Sequence, residues 1–232
     1  MIRIIMVSGT AAAGKTSMLM HVIPLLIDEG IKPAAAKMDC FESGDKDMFS
    51  SIGIPSVLGL SGDICPDHFL VSNLPELWNW AERKDADYLF IESAGLCHRC
   101  SPITEKSAAI AVIDATANAF SPGRMGPIVT GSDLIVLSKC DLISQAEREI
   151  LMYRLKKINP RVQIIAFDGR EGYGSDRVRD YILQLPLIDS YENDTLRHSM
   201  PSGVCSYCVG ERRVGSAFQL GVVGKIDFGS DS

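Results

Sequence analysis

With 232 residues, 46% of them hydrophobic, the chain is long enough to bury one sizeable core and too short for two full domains of ordinary size. A net charge of −6 with no basic tract excludes a general nucleic-acid binder, and no run of about 18 or more apolar residues is present to span a membrane. The first apolar run is too short for a secretory core segment. The chain therefore reads as cytoplasmic, with its seven cysteines expected as thiols or metal ligands rather than structural disulfides.

The first predicted strand, 2–7, runs directly into Gly9-Thr10-Ala11-Ala12-Ala13-Gly14-Lys15-Thr16, which satisfies every fixed position of the phosphate-loop pattern G-x-x-x-x-G-K-[ST]. Ser17 then opens a predicted helix over 17–28. The spacing has a physical reason. Two glycines let successive backbone N–H groups curl inward around an anion, and the helix adds the positive end of its dipole. Lys15 neutralises the terminal phosphates, and the Thr16 hydroxyl suits Mg²⁺.

Further predicted strands follow at 33–38, ending beside Asp39, and at 56–60, after which the periodicity predicts a helix over 67–83. Trp78 and Trp80 lie on that helix and are expected to pack against the sheet. A strand over 88–92 ends in Glu92-Ser93-Ala94-Gly95. There a carboxylate can hold a Mg²⁺-bound water and the Gly95 amide can sense a γ-phosphate; a solvated strand cap is the alternative. After a strand over 109–114, the strand 134–138 leads into Ser138-Lys139-Cys140-Asp141, close to the Asn-Lys-x-Asp segment that reads guanine. In that reading Asp141 accepts from the base N–H groups and the Lys139 stem lies along the ring. Ser144 and Glu147 form a capping box for a helix over 144–158, and a strand over 163–167 and a helix over 176–184 complete the pattern.

Apolar strands alternating with helices predict an α/β fold: a mostly parallel sheet with helices on both faces and ligands at the carboxyl ends of the strands. Beyond Leu185 the periodicity gives way to Pro, Ser, Asn and Gly. The expected organisation is a nucleotide-binding domain over 1–185, a linker over 186–203, and a small C-terminal appendage over 204–232 packed on the same domain.

Two C-x-x-C pairs stand out. Cys97 and Cys100 begin two residues after Gly95, in a segment expected to respond to the γ-phosphate, and Cys205 and Cys208 lie in the appendage. Four thiolates suit Zn²⁺, Ni²⁺ or an iron–sulfur cluster, within one chain or across a dimer; a redox disulfide or buried thiols are the alternatives. Cys65, in Cys65-Pro66-Asp67-His68, is a further candidate ligand, whereas Cys40 and Cys140 read as small buried side chains.

Gly9 to Thr16, Asp39, Glu92-x-x-Gly95 and Ser138 to Asp141 together resemble the nickel and cobalamin accessory GTPases of the SIMIBI class, over about residues 1–185. The resemblance implies a P-loop GTPase using Mg²⁺, with Asp39 in a switch region near the metal and the attacking water. It further implies a homodimer that hands a metal to a client metalloenzyme or its accessory proteins. Cys65 resembles the Cys of a metal-binding Cys-Pro-His segment, although Asp67 here occupies the place of the His. Gly169, Gly172 and Gly174 fall where such GTPases place a loop at the base edge. In one departure from the family's pattern, Ser138 stands where Asn is usual, whose side chain helps brace the phosphate loop; guanine is still the expected base, with ATP the other candidate. Another reading makes the chain a dimeric ATPase whose bridging iron–sulfur cluster donates electrons to a metallo- or corrinoid enzyme. Thr10, where such ATPases resemble each other in having Lys, argues against it.

Overall fold

The computed structural model describes residues 1–41, 46–96, 101–118, 120–199, 210–219 and 224–229. Its centre is a seven-stranded parallel sheet formed by β1 (Arg3–Gly9), β2 (Pro33–Asp39), β3 (Ser56–Leu60), β4 (Tyr88–Glu92), β5 (Ala108–Asp114), β6 (Leu134–Ser138) and β7 (Gln163–Ala166), in the order β3-β2-β4-β1-β5-β6-β7. The chain winds first to one side of β1 and then to the other. That reversal opens a crevice at the carboxyl end of β1, where the phosphate loop begins.

Alternation along each strand divides the core between two faces. Ile5, Val7, Phe90, Ile110, Val112 and Val136 pack under α1 (Lys15–Asp28) and α6 (Ser175–Leu183), joined at one edge by Phe49 of the short α2 (Lys46–Ser51). On the opposite face Ile4, Met6, Ala36, Met38 and Ile91 meet α3 (Pro66–Arg83). Ala111, Ile113, Ile135 and Leu137 meet α4 (Pro127–Thr130) and α5 (Gln145–Ile158). Burial on both faces explains why these strands read as continuous apolar runs, each large side chain contributing about 1.5–3 kcal/mol by leaving water.

The α5 capping box forms as the sequence predicts: the Ser144 hydroxyl accepts from Glu147 N–H while the Glu147 carboxylate accepts from Ser144 N–H. Helix α1 starts at Lys15 rather than at Ser17, because Gly14 in a left-handed conformation (φ 90°) turns the chain straight into it. Strand β1 continues to Gly9, since Ser8 and Gly9 still pair with Ala111 and Val112.

Trp78 and Trp80 are buried on α3 and also hold the C-terminal segments, Trp78 against Tyr191 (ring centroids 5.3 Å apart) and Trp80 against Phe228 (6.0 Å). Residues 188–198, within the stretch read as a linker, lie against the domain. Ile188 bridges to Ile2, Thr104 to Leu196, and Thr195 to Arg213. Arg197 fastens this segment, donating to Thr104, Gly131 and Ser107 carbonyls and pairing through both terminal nitrogens with the Asp133 carboxylate at 2.9 Å. Asn73 of α3 donates to the Gly224 carbonyl and accepts from Ile226 N–H. Among the described residues no helix is long and apolar enough to cross a membrane.

Candidate nucleotide-binding site

Gly9 adopts φ 146°, and a Cβ there would stand 2.2 Å from the Val112 carbonyl oxygen, so the first loop position accepts only glycine. Gly14 is the N-cap of α1 with no side-chain hydrogen bond, which leaves the first N–H groups of the helix for a ligand. Lys15 is buried and folds back over the loop, donating to the Thr10 carbonyl at 3.0 Å and lying 3.4 Å from the Gly9 carbonyl. Burial pulls its ammonium below the ordinary lysine range, with Glu92 opposing that pull and Lys37 adding to it. Beside it opens a cavity of about 360 Å³ whose lining includes Gly14, Lys15, Thr16, Asp39 and Glu92.

Gly95 is seated on the phosphate loop. Its carbonyl accepts from Ala11 N–H at 3.2 Å, and a Cβ on it would come within 2.2 Å of the Gly9 oxygen and 2.8 Å of Lys15 Nζ. The end of β4 and the loop therefore share one surface. Glu92 is almost fully buried and accepts from the Thr16 hydroxyl, whose Oγ1 lies 2.8 and 3.0 Å from its two oxygens. A hydroxyl and a carboxylate side by side are hard oxygen donors of the kind Mg²⁺ takes. Asp39 lines the same cavity and accepts from Cys40 N–H through Oδ1.

Sequence reasoning missed Lys37. Its Nζ lies 3.2 Å from Thr16 Oγ1 and 3.4 Å from Glu92 Oε1, inside the site. The available signal was a lone cation in the run Pro-Ala-Ala-Ala-Lys-Met, where a buried strand would otherwise hold only apolar side chains.

The segment after β6 reaches the same crevice. Ser138 donates to the Ala13 carbonyl at 2.6 Å, so the serine braces the phosphate loop in the place where Asn is usual. Lys139, in a left-handed conformation (φ 57°), pairs with Asp114 at 2.5 Å. Burial would raise the Asp114 carboxyl, but hydrogen bonds from Lys139 and Thr116 outweigh it and hold the group below the usual carboxylate range. Asp141 is exposed on the 3₁₀ turn Cys140–Leu142. Opposite α1, the Gly169 carbonyl accepts from Ser17 Oγ at 3.0 Å and lies 3.1 Å from His21 Nε2. Gly172 packs close against the His21 ring, and Gly174 caps α6.

Cys97, Cys100, Cys205 and Cys208 lie outside the described residues. Cys65 is the half-buried N-cap of α3, and His68 within that helix is buried, with its imidazole pushed below the ordinary histidine range by desolvation. Cys40 and Cys140 are half-buried thiols. Cys140 donates to the Leu137 carbonyl, and burial raises its pKa. Among the described residues no three His, Cys, Asp or Glu side chains come together as a metal site.

Comparison with known proteins accords with this geometry. The chain is 44% identical over 225 residues to the uncharacterized protein MJ0120 of Methanocaldococcus jannaschii, covering 97% of this chain and 96% of that protein. It is 28% identical over 196 residues to the urease accessory protein UreG of Trichodesmium erythraeum, covering 78% and 91% respectively. The crystal structure of HypB from Helicobacter pylori in complex with nickel superposes with a TM-score of 0.65 at 15% identity, over 79% of this chain and 86% of that one. Residues 3–166 match the CobW/HypB/UreG nucleotide-binding domain, and with β1, the phosphate loop and the strand tips around it arranged as described, the chain belongs to that family.

Proposed function

We propose that the protein binds and hydrolyses GTP and uses the nucleotide state to control a metal held by cysteines, as a metallochaperone or metallocentre-assembly factor. The observation that carries this reading is the seating of Gly95 on the phosphate loop, two residues before Cys97. A γ-phosphate arriving there displaces the strand tip that leads into the first cysteine pair.

Thr16, Glu92 and Asp39 would hold Mg²⁺, which when bound supplies charge neutralisation at the phosphates. Lys15 exchanges its two loop carbonyls for phosphate oxygens, and the N–H groups of the loop and of α1 hold the remaining oxygens without reorganising. Asp39 or Glu92 orients the attacking water. Asp141 and Lys139 select guanine, with Ser138 keeping the loop in register with them. ATP is the competing substrate in the test.

The metal reading rests on four thiolates, which suit soft or borderline ions such as Zn²⁺ and Ni²⁺; the structural neighbour HypB was crystallised with nickel. What supports a shared site is the anchoring of the flanking residues. Ser101, next to Cys100, donates its N–H to His198 Nε2 at 3.2 Å, and Leu196 N–H donates to the Arg212 carbonyl at 2.7 Å. The described residues that flank the two pairs are thus held near one another, and a few residues at about 3.3–3.6 Å each are enough chain to reach between them. Cys65 stands as an additional ligand, and a homodimer with a client metalloenzyme completes the proposal.

Purified protein assayed with GTP and with ATP in Mg²⁺, alongside metal analysis of protein prepared without added metal, tests it. Hydrolysis favouring GTP and a bound Ni²⁺ or Zn²⁺ lost in Cys100→Ser are expected. Absence of hydrolysis with both nucleotides overturns it in favour of a non-catalytic, nucleotide-dependent docking module with one structural Zn²⁺, and a brown protein with broad visible absorbance overturns it in favour of the electron donor.

A further inference from the structure

We infer that Lys37 is a tethered cation that competes with Mg²⁺ for Thr16 and Glu92, and thereby sets how strongly nucleotide affinity depends on magnesium. The inference rests on the reading of Thr16 and Glu92 as holders of Mg²⁺. Register places the lysine: Lys37 pairs laterally with Glu92 across β2 and β4, so both side chains emerge on the face covered by α1, under Thr16. Both are nearly buried, with side-chain exposures of 8% and 4%.

The atoms of Thr16 make the competition specific. Its single hydroxyl proton is directed at the Glu92 carboxylate, and its oxygen accepts from Lys37 Nζ at 3.2 Å. A divalent ion coordinated by Thr16 needs an oxygen lone pair of that same hydroxyl and approaches the carboxylate that Lys37 already neutralises at 3.4 Å. Ammonium and metal cannot both sit within van der Waals reach of one hydroxyl and one carboxylate without strong like-charge repulsion in so dry a place. In the absence of metal, Lys37 instead adds to Lys15 as a second positive charge lining the phosphate cavity.

The test measures affinity for a fluorescent, non-hydrolysable GTP analogue with Mg²⁺ and with EDTA, in wild type, Lys37→Met and Lys37→Arg. Linkage requires the change in nucleotide affinity to equal the change in Mg²⁺ affinity, so one ratio reports both. Wild type is expected to lose no more than about tenfold in EDTA, and Lys37→Met about a hundredfold, a tenfold rise in coupling. Lys37→Arg keeps the charge and stays near the wild-type ratio. Mg²⁺ alone leaves the wild-type melting temperature unchanged, and this measurement with the wild-type ratio stands even if Lys37→Met does not fold. An equal ratio in wild type and Lys37→Met, or wild-type binding abolished by EDTA, overturns the role of Lys37 while leaving the nucleotide site intact. Failure of wild type to bind GTP and ATP analogues in both conditions overturns the nucleotide site and this inference together.

Discussion

Single atoms decide whether the phosphate loop is ready for a ligand. Removing the Ser138 hydroxyl takes away a buried hydrogen bond to the Ala13 carbonyl worth about 1 kcal/mol. Ser138→Ala is therefore expected to bind nucleotide about fivefold more weakly in a titration, with the fold intact. Gly95→Ala is more severe, because the new Cβ meets the Gly9 oxygen and Lys15 Nζ in a conformation (φ 77°) that side chains resist. At least a tenfold loss of nucleotide affinity, roughly 1.4 kcal/mol of strain, is expected by the same titration. Ser138 was legible as a departure from the usual residue, and only its 2.6 Å contact shows that the brace survives. Lys37 was not legible as part of the site, since its role depends on a neighbour 55 residues away in sequence, Glu92.

Among the elements, the strands and long helices follow from local pattern, whereas the segment after Leu185 does not. Its polar, Pro- and Gly-containing composition looks like a connector, yet Arg197 within it makes bonds to three carbonyls and one carboxylate. Arg197→Ala removes all of these bonds, leaving the Asp133 carboxylate with the hydrogen bond from Ala109 N–H, and should destabilise the protein by about 2 kcal/mol, measured by urea denaturation. His198, next in the chain, must be unprotonated at Nε2 to accept from Ser101 N–H. Burial, with Arg212 adding to it, holds its pKa below the ordinary histidine value. A depressed folded-state pKa means the unfolded chain binds the proton first. Stability is thus complete above about pH 6.5 and declines as pH falls from there through the folded value. His68 shifts in the same direction for the same cause. A melting-temperature profile that falls on acidification from pH 7, and is flattened in part by His198→Gln, is the expected outcome.

For the molecule as a whole, the placing of β1 between β4 and β5 matters most, because it gathers the tips of β1, β2, β4 and β6 around one crevice. Four sequence segments, at Gly9, Asp39, Glu92 and Ser138, reach one crevice only through that strand order. The segment bearing the first cysteine pair leaves from the same crevice, and its far end is pinned to His198. If the two pairs share one metal, Cys100→Ser and Cys205→Ser should each lower metal affinity by at least about tenfold, the loss that even outer-shell substitutions produce. Chelator competition measures this, and equal affinities in wild type and Cys205→Ser would separate the pairs.

The phosphate loop, the alternation of strand and helix, and the capping box were determined by sequence alone, because each depends on interactions within about ten residues of chain. Which strand tips meet, that Ser138 braces the phosphate loop, that Lys37 comes beside Thr16 and Glu92 and that Arg197 ties the C-terminal segment down were decided by tertiary structure. Those contacts join residues far apart in the chain, and side-chain type or local periodicity carries no record of such distances.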